Sequence, residues 1–245
     1  MAQIFGKEIT YPDGSGYVII YKEYHSTYDS GPEKKESKEN KFELTEDERD
    51  EENSGRSARR SKKTVRDYIA CNRFTHFVTL TYRGEQSKND DKRLVILSNW
   101  LKYMKRKHGK FNYVIVPERH KDGSLHFHGV LNLERFELKA GKNPKTGRLI
   151  NRHGQQVYNI VSWEKNNGWG HAEIIRDQMK IANYMTKYIV KDFETTVSKN
   201  KKKYWCSKGL EKPAEKRLLV LPQFSRPADW ENEHVRIYNF CSRPF

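Results

Sequence analysis

Cysteine is scarce in this chain: Cys71, Cys206 and Cys241 stand far apart. An odd, scattered set excludes a disulfide framework and a zinc knuckle, and suits a reducing compartment. Long apolar runs are missing too. Nowhere do about 18 apolar residues follow one another, so no membrane span is expected. Residues 1–10 lack the basic and apolar segments of a signal peptide, so a cytoplasmic location is the expectation. No Gly-x-x-x-x-Gly-Lys-Ser/Thr phosphate loop occurs, so no helicase domain of that kind is expected. Hydrophobic residues are 35% of the chain and charged residues 32%, which leaves part of it without a core.

What is abundant is positive charge. The formal net charge is +15, and it is unevenly spread. Residues 1–60 hold 10 Lys/Arg against 14 Asp/Glu, whereas residues 61–245 hold 37 against 18. A strongly basic body points to a polyanionic partner, most simply nucleic acid. Basic and aromatic residues interleave at Lys102–Lys105, Trp163–Lys165 and Lys201–Trp205. Such mixtures hold phosphates and stack bases, so Lys191, Lys201, Lys202 and Lys203 are candidate DNA contacts.

Three regions are expected. Residues 1–63 read as an N-terminal extension, with a hairpin turning at Tyr11–Gly16 and a charged, linker-like run from Glu33 to Glu52 that reads as flexible chain or solvated helix. Residues 64–213 read as the main domain, and 214–245 as a C-terminal extension. Within the domain, His76–Tyr82 reads as a strand rich in β-formers. Leu94, Leu97, Leu101 and Met104 recur at helical spacing from Asp90 to Lys107. Strands are expected at Asn112–Glu118 and Leu125–Leu131, joined by a turn at Asp122-Gly123. Residues 134–160 read as a long loop or inserted hairpin among basic residues. A strand at Trp169–Arg176 precedes a helix capped by Asp177 and running to about Val190. This order predicts an α+β domain, an antiparallel sheet with helices packed on it.

The chemistry-bearing residues sit at His126-Phe127-His128. In a strand, residues two apart share a face about 6.6 Å along the chain. The two imidazoles therefore project together while Phe127 turns inward. Glu118 ends the neighbouring strand and supplies a third, harder donor. A mixed N/O set with open positions suits Mn²⁺ or Mg²⁺, and ligand type does not exclude zinc. On the last helix, Tyr184 and Tyr188 are four apart and share an edge, as do Lys187 and Lys191. A tyrosine becomes a nucleophile when cations favour its phenolate. The plain alternative for that helix is aromatic packing beside solvated lysines.

In order along the chain stand Phe77-Val-Thr-Leu-Thr-Tyr82, then Glu118 with His126-Phe-His128, then Tyr184-Met-Thr-Lys187-Tyr188-Ile-Val-Lys191. This trio resembles the HUH endonuclease superfamily, in the paired-tyrosine form of phage and plasmid rolling-circle replication initiators. The resemblance covers roughly residues 64–213. It implies a palm or RRM-like sheet of about five antiparallel strands. It implies metal binding by His126, His128 and Glu118, and attack on single-stranded origin DNA by Tyr184 or Tyr188, with Lys187 steadying charge at the phosphate. The products would be a 5′-phosphotyrosine and a free 3′-OH, and ends would be rejoined by strand transfer. A host helicase and DNA polymerase, in the cytoplasm of a bacterial cell, would be the partners.

Two other readings stay open. A relaxase or single-strand transposase would use the same chemistry on different DNA, although relaxases usually carry a third histidine where Glu118 stands here. A non-enzymatic RRM-like nucleic-acid-binding module would leave the histidines and the tyrosine helix without a role. The basic run sets one test. Each phosphate contact on a single strand adds about −0.7 to the slope of log affinity against log salt. Neutralising Lys201, Lys202 and Lys203 together is expected to make that slope shallower in an oligonucleotide titration.

Overall fold

The computed structural model describes residues 3–26, 46–83, 90–119, 123–143, 145–191 and 203–241. Strands β1 (Gln3–Thr10) and β2 (Gly16–Ser26) come first, then helix α1 (Glu46–Cys71), β3 (His76–Leu80) and α2 (Asp90–His108). Next are β4 (Tyr113–Arg119), β5 (Leu125–Leu131), β6 (Leu138–Ala140), β7 (Asn151–Arg152), β8 (Gln155–Gln156) and β9 (Tyr158–Ile160). The short helix α3 (Val161–Glu164), β10 (Gly170–Ile174), α4 (Gln178–Lys191) and β11 (Trp205–Cys206) follow. The chain ends on β12 (Ala214–Leu218), β13 (Trp230–Glu231) and β14 (Val235–Phe240). No helix among the described residues is long and apolar enough to cross a membrane.

The chain divides into two compact units, residues 1–49 with 211–245, and residues 50–210. In the first, β1 and β2 form the hairpin expected from the Tyr11–Gly16 turn, with the Tyr11 amide bonded to the Ser15 carbonyl at 2.8 Å. The two extensions do not stand apart. They build one antiparallel sheet in the order β12-β1-β2-β14-β13, because β1 and β2 each offer a free edge that the C-terminal strands satisfy. Val18, Ile20 and Tyr238 form its small core.

In the second unit, α1 begins at Glu46, inside the run read as linker-like, and continues to Cys71. Its charged residues are good helix formers, Lys63 and Asp67 pair one turn apart, and Val65 and Ile69 anchor its C-terminal half in the core. The part of the linker at 27–45 lies outside the described residues. The main sheet is antiparallel, in the order β11-β4-β5-β3-β10-β9-β6. It has seven strands where about five were expected. The extra ones are short edge strands of two or three residues, too brief to show an alternation pattern in sequence.

Two cores lie on the two faces of this sheet. One packs α2 and α3 through an aromatic set, in which the Trp163 ring meets Tyr82 and Trp100 edge-on at 5.2 Å each. The other packs Val65 and Ile69 of α1 and Ala182 and Met185 of α4 on Val114, Val116 and Val130. Trp163, a base-stacking candidate by its basic neighbours in sequence, is fully buried and donates its indole N–H to the Thr81 carbonyl at 3.0 Å. Truncating it leaves a cavity beneath its aromatic neighbours. Trp163→Ala is expected to lose about 3–5 kcal/mol of stability, measured by chemical denaturation.

Candidate active site

Alternation along β5 turns Leu125, Phe127 and Leu131 toward the α2 core and turns His126, His128 and Val130 to the face that carries α4. In β4 the same rule puts Val114, Val116 and Glu118 on that face. The strands pair so that Glu118 lies opposite His126 and Val116 opposite His128. Gly129 makes the pairing possible, since a Cβ there would stand 2.8 Å from Ile115 Cγ1 and 2.9 Å from the Val114 carbonyl oxygen. The hairpin that joins the strands holds Gly123 at φ 80°, as the Asp-Gly turn requires. Arg119 clips it by donating to the Gly123 carbonyl at 2.8 Å and by pairing with Asp90 at the start of α2.

His128 is the most constrained side chain of the site. Its Nε2 lies 2.6 Å from Glu118 Oε2 and its Nδ1 lies 3.2 Å from Thr79 Oγ1. Its ring is sandwiched between Phe77, with centroids 5.8 Å apart, and Tyr188, 4.1 Å apart, both nearly parallel to it. In sequence, Phe77 and Thr79 read only as part of an apolar strand. Their alternation in β3 is the signal that puts both beside His128. His126 shares the face, but its Nε2 lies 3.0 Å from Ser124 Oγ. Among the described residues, no three His, Cys, Asp or Glu side chains are gathered closely enough to hold a metal ion. The three expected ligands therefore divide into a joined pair, Glu118 and His128, and a neighbour turned aside.

Helix α4 brings the tyrosines to this pair. Asp177 caps it as expected, with Oδ1 accepting the Lys180 amide at 2.9 Å. The Tyr188 hydroxyl donates to the Tyr184 hydroxyl at 2.5 Å, and the rings meet edge-on at 5.2 Å. Lys187 Nζ stands 5.5 Å from the Tyr184 ring. The two phenols are not equivalent. Tyr188 is half-buried against His128, and burial first, then its bond to Tyr184 and the charge of Glu118, push its pKa far above the usual tyrosine value. Tyr184 is 41% exposed and accepts the bond. Lys191 closes α4, but its side chain is outside the described positions, as are Lys201 and Lys202 altogether. Lys203 is partly buried, and burial lowers its pKa.

Residues 75–193, from the residue before β3 to just past the end of α4, match the family model of the Replication-associated protein ORF2. This segment is a replication-associated domain. The match supports a family of rolling-circle replication initiators, and with it a protein that works on DNA. No curated protein and no solved structure matches the chain. All of the side chains just described around His128 fall inside the matched segment, whereas β1, β2 and the C-terminal strands fall outside it.

The buried phenol of this replication-associated domain has a measurable consequence. A tyrosine whose folded pKa lies above its unfolded value of about 10 stays neutral in the fold but ionises in the unfolded chain. Its contribution is fully present below pH 10 and is lost as the pH rises from there toward the folded value. Tyr188→Phe is expected to lose less stability than the wild type between about pH 9 and 11, followed by urea denaturation at each pH.

Proposed function

We propose that this chain initiates rolling-circle replication by nicking single-stranded origin DNA with Tyr184. The observation that carries this reading is one connected group: Tyr184 bonded to Tyr188, Tyr188 stacked on His128, and His128 bonded to Glu118. A nucleophile, its partner and a His–Glu pair of metal-binding chemistry meet on one face of a sheet in a replication-associated domain.

In this reading Tyr184 Oη forms a bond to phosphorus while the P–O3′ bond breaks. The phenolic proton lost by Tyr184 balances the one taken up by the leaving 3′ oxygen. The hydrogen bond from Tyr188 favours the developing phenolate on Tyr184, and Lys187 adds a positive charge beside it. The product is a 5′-phosphotyrosine with a free 3′-OH, which suits extension by a host polymerase after a host helicase separates the strands. Tyr188 then serves as the second nucleophile for strand transfer. The setting proposed is the cytoplasm of a bacterial cell.

The donor chemistry at Glu118 and His128, one carboxylate oxygen facing one imidazole nitrogen, fits a hard divalent ion, Mn²⁺ or Mg²⁺. Glu118, His126 and His128 would hold it, once the His126 ring turns from Ser124 to join the pair. Such an ion supplies polarisation of the phosphate under attack.

The test is adduct formation with a single-stranded origin oligonucleotide and Mn²⁺, read by mass spectrometry. Tyr184→Phe is expected to lose most of the adduct, Tyr188→Phe to retain the first cleavage but lose strand transfer, and the double variant to give none. EDTA, His128→Ala and Glu118→Gln are expected to abolish or strongly reduce it, with high Mn²⁺ partly rescuing Glu118→Gln. Undiminished cleavage in excess chelator would sink the metal-assisted scheme.

A further inference from the structure

The face that carries the site extends well beyond it. Across the sheet, His128 on β5 stands opposite Thr79 on β3, Thr79 opposite His171 on β10, and His171 opposite Asn159 on β9. Side-chain contacts confirm the shared face: His128 to Thr79 at 3.2 Å and His171 to Asn159 at 3.2 Å. With strands about 4.8 Å apart, this polar ladder runs about 14 Å from the candidate active site. The apolar packing of α4 is on Val114, Val116 and Val130, at the other end of the sheet.

One step along the strands lies a second row. Trp169 immediately precedes β10, and its carbonyl accepts the Thr81 amide at 2.8 Å. Gly170 faces the opposite core, because a Cβ there would meet the Trp163 ring at 3.0 Å. Alternation therefore turns Trp169 to the face of His171 and His128. It is 59% exposed. Two strand spacings, about 10 Å, separate it from the row of His126. A large indole left in solvent on the reactive face of a nuclease-like sheet is the shape of a base-stacking platform.

Beyond it is the insert between β6 and β9. Residues 141–156 contain Lys142, Lys145, Arg148 and Arg152 and no acid. The insert is ordered by its own bonds. The Gln156 amide donates to the carbonyls of Gly141, Ile150 and Val157, and Lys142 bridges to Leu149. Its second turn is fastened to the same face, with Arg152 on Glu173 at 2.9 Å and Arg176 donating to the His153 carbonyl at 3.3 Å. Glu173, the acid on this stretch of β10, is thus covered by a cation. Lys142, Lys145 and Arg148 are exposed.

We propose that single-stranded DNA leaving the scissile phosphate crosses β3 and β10, stacks a base on Trp169, and lays its phosphates on the basic insert 141–156. The proposal rests on the reading of the chain as a single-strand DNA enzyme and adds the path and the residues that hold the substrate. A base on Trp169 would fix how far the flanking strand advances over the tyrosines, so Trp169 is a positioning residue for cleavage.

The experiment is anisotropy of dye-labelled oligothymidylate with the full chain in EDTA, where no cleavage occurs. Trp169→Ala is expected to weaken binding about tenfold or more, Trp169→Phe to keep most of the affinity, and both to melt like the wild type. The salt slope should be unchanged in Trp169→Ala but shallower by about 1.4 when Lys145 and Arg148 are both changed to Gln. An abasic site scanned along the oligonucleotide should weaken wild-type binding at one position and have no such effect in Trp169→Ala. Wild-type affinity in Trp169→Ala, or an unchanged salt slope in the Lys145/Arg148 double variant, overturns the path. The outcomes separate from those of the cleavage reading. Protein that forms the tyrosine adduct but binds independently of Trp169 defeats this path alone. Protein that binds through Trp169 but forms no adduct defeats the nuclease reading and leaves the path standing.

Discussion

The register of β5 between β4 and β3 is the constraint on which the rest depends. A strand alternates its side chains with period two, so a slip of one residue would carry every side chain to the other face. Here that slip would send His126 and His128 into the aromatic core and bring Phe127 out beside Glu118. The core prevents it, because Phe127 and Leu131 are fully buried on one side and Val130 on the other. Gly129 sits where the neighbouring strand leaves no room for a Cβ. Hydrophobic burial thus sets the position of the polar groups, and the site inherits its geometry from packing that takes no part in chemistry.

Helix α4 shows the same economy. Its Ala182 and Met185 pack on β4 and β5, and one turn of helical period from them come Tyr184 and Tyr188. Docking the apolar stripe delivers the phenols to His128. Delivery is unequal, because Tyr188 is laid flat on the imidazole while Tyr184 reaches solvent. A nearly repeated sequence, Tyr-x-x-Lys twice over, becomes two different environments. Burial and hydrogen bonding hold one phenol neutral and leave the other as the acceptor.

The two faces of the main sheet divide the labour. Trp100, Trp163, Phe127 and Phe136 fill the face beneath α2 and α3. Arg93, fully buried on α2, pairs with Asp90, which in turn pairs with Arg119 on the hairpin beside the site. The start of α2 and the β4–β5 hairpin are thereby held together across the end of the sheet. The opposite face is only partly occupied by helices α1 and α4, and the polar ladder from His128 to Asn159 lies on it.

Much of this was legible in the sequence. Period two in His126–His128, period 3.6 in α2, the Asp177 cap and the Asp-Gly turn are local rules, and a local pattern is enough to read them. The order of strands and helices gave the α+β class for the same reason. What the sequence left undecided was what each side chain meets across the sheet. That His128 lies between Phe77 and Tyr188, that His126 turns to Ser124, that Trp163 is core and Trp169 is exposed, and that the two termini share a sheet are all facts of strand order and pairing. Residues such as Phe77 and Tyr188 are separated by more than a hundred positions and carry no mark of one another. Their contact is fixed by the sum of many weak burial terms over the whole domain, which only the tertiary structure resolves.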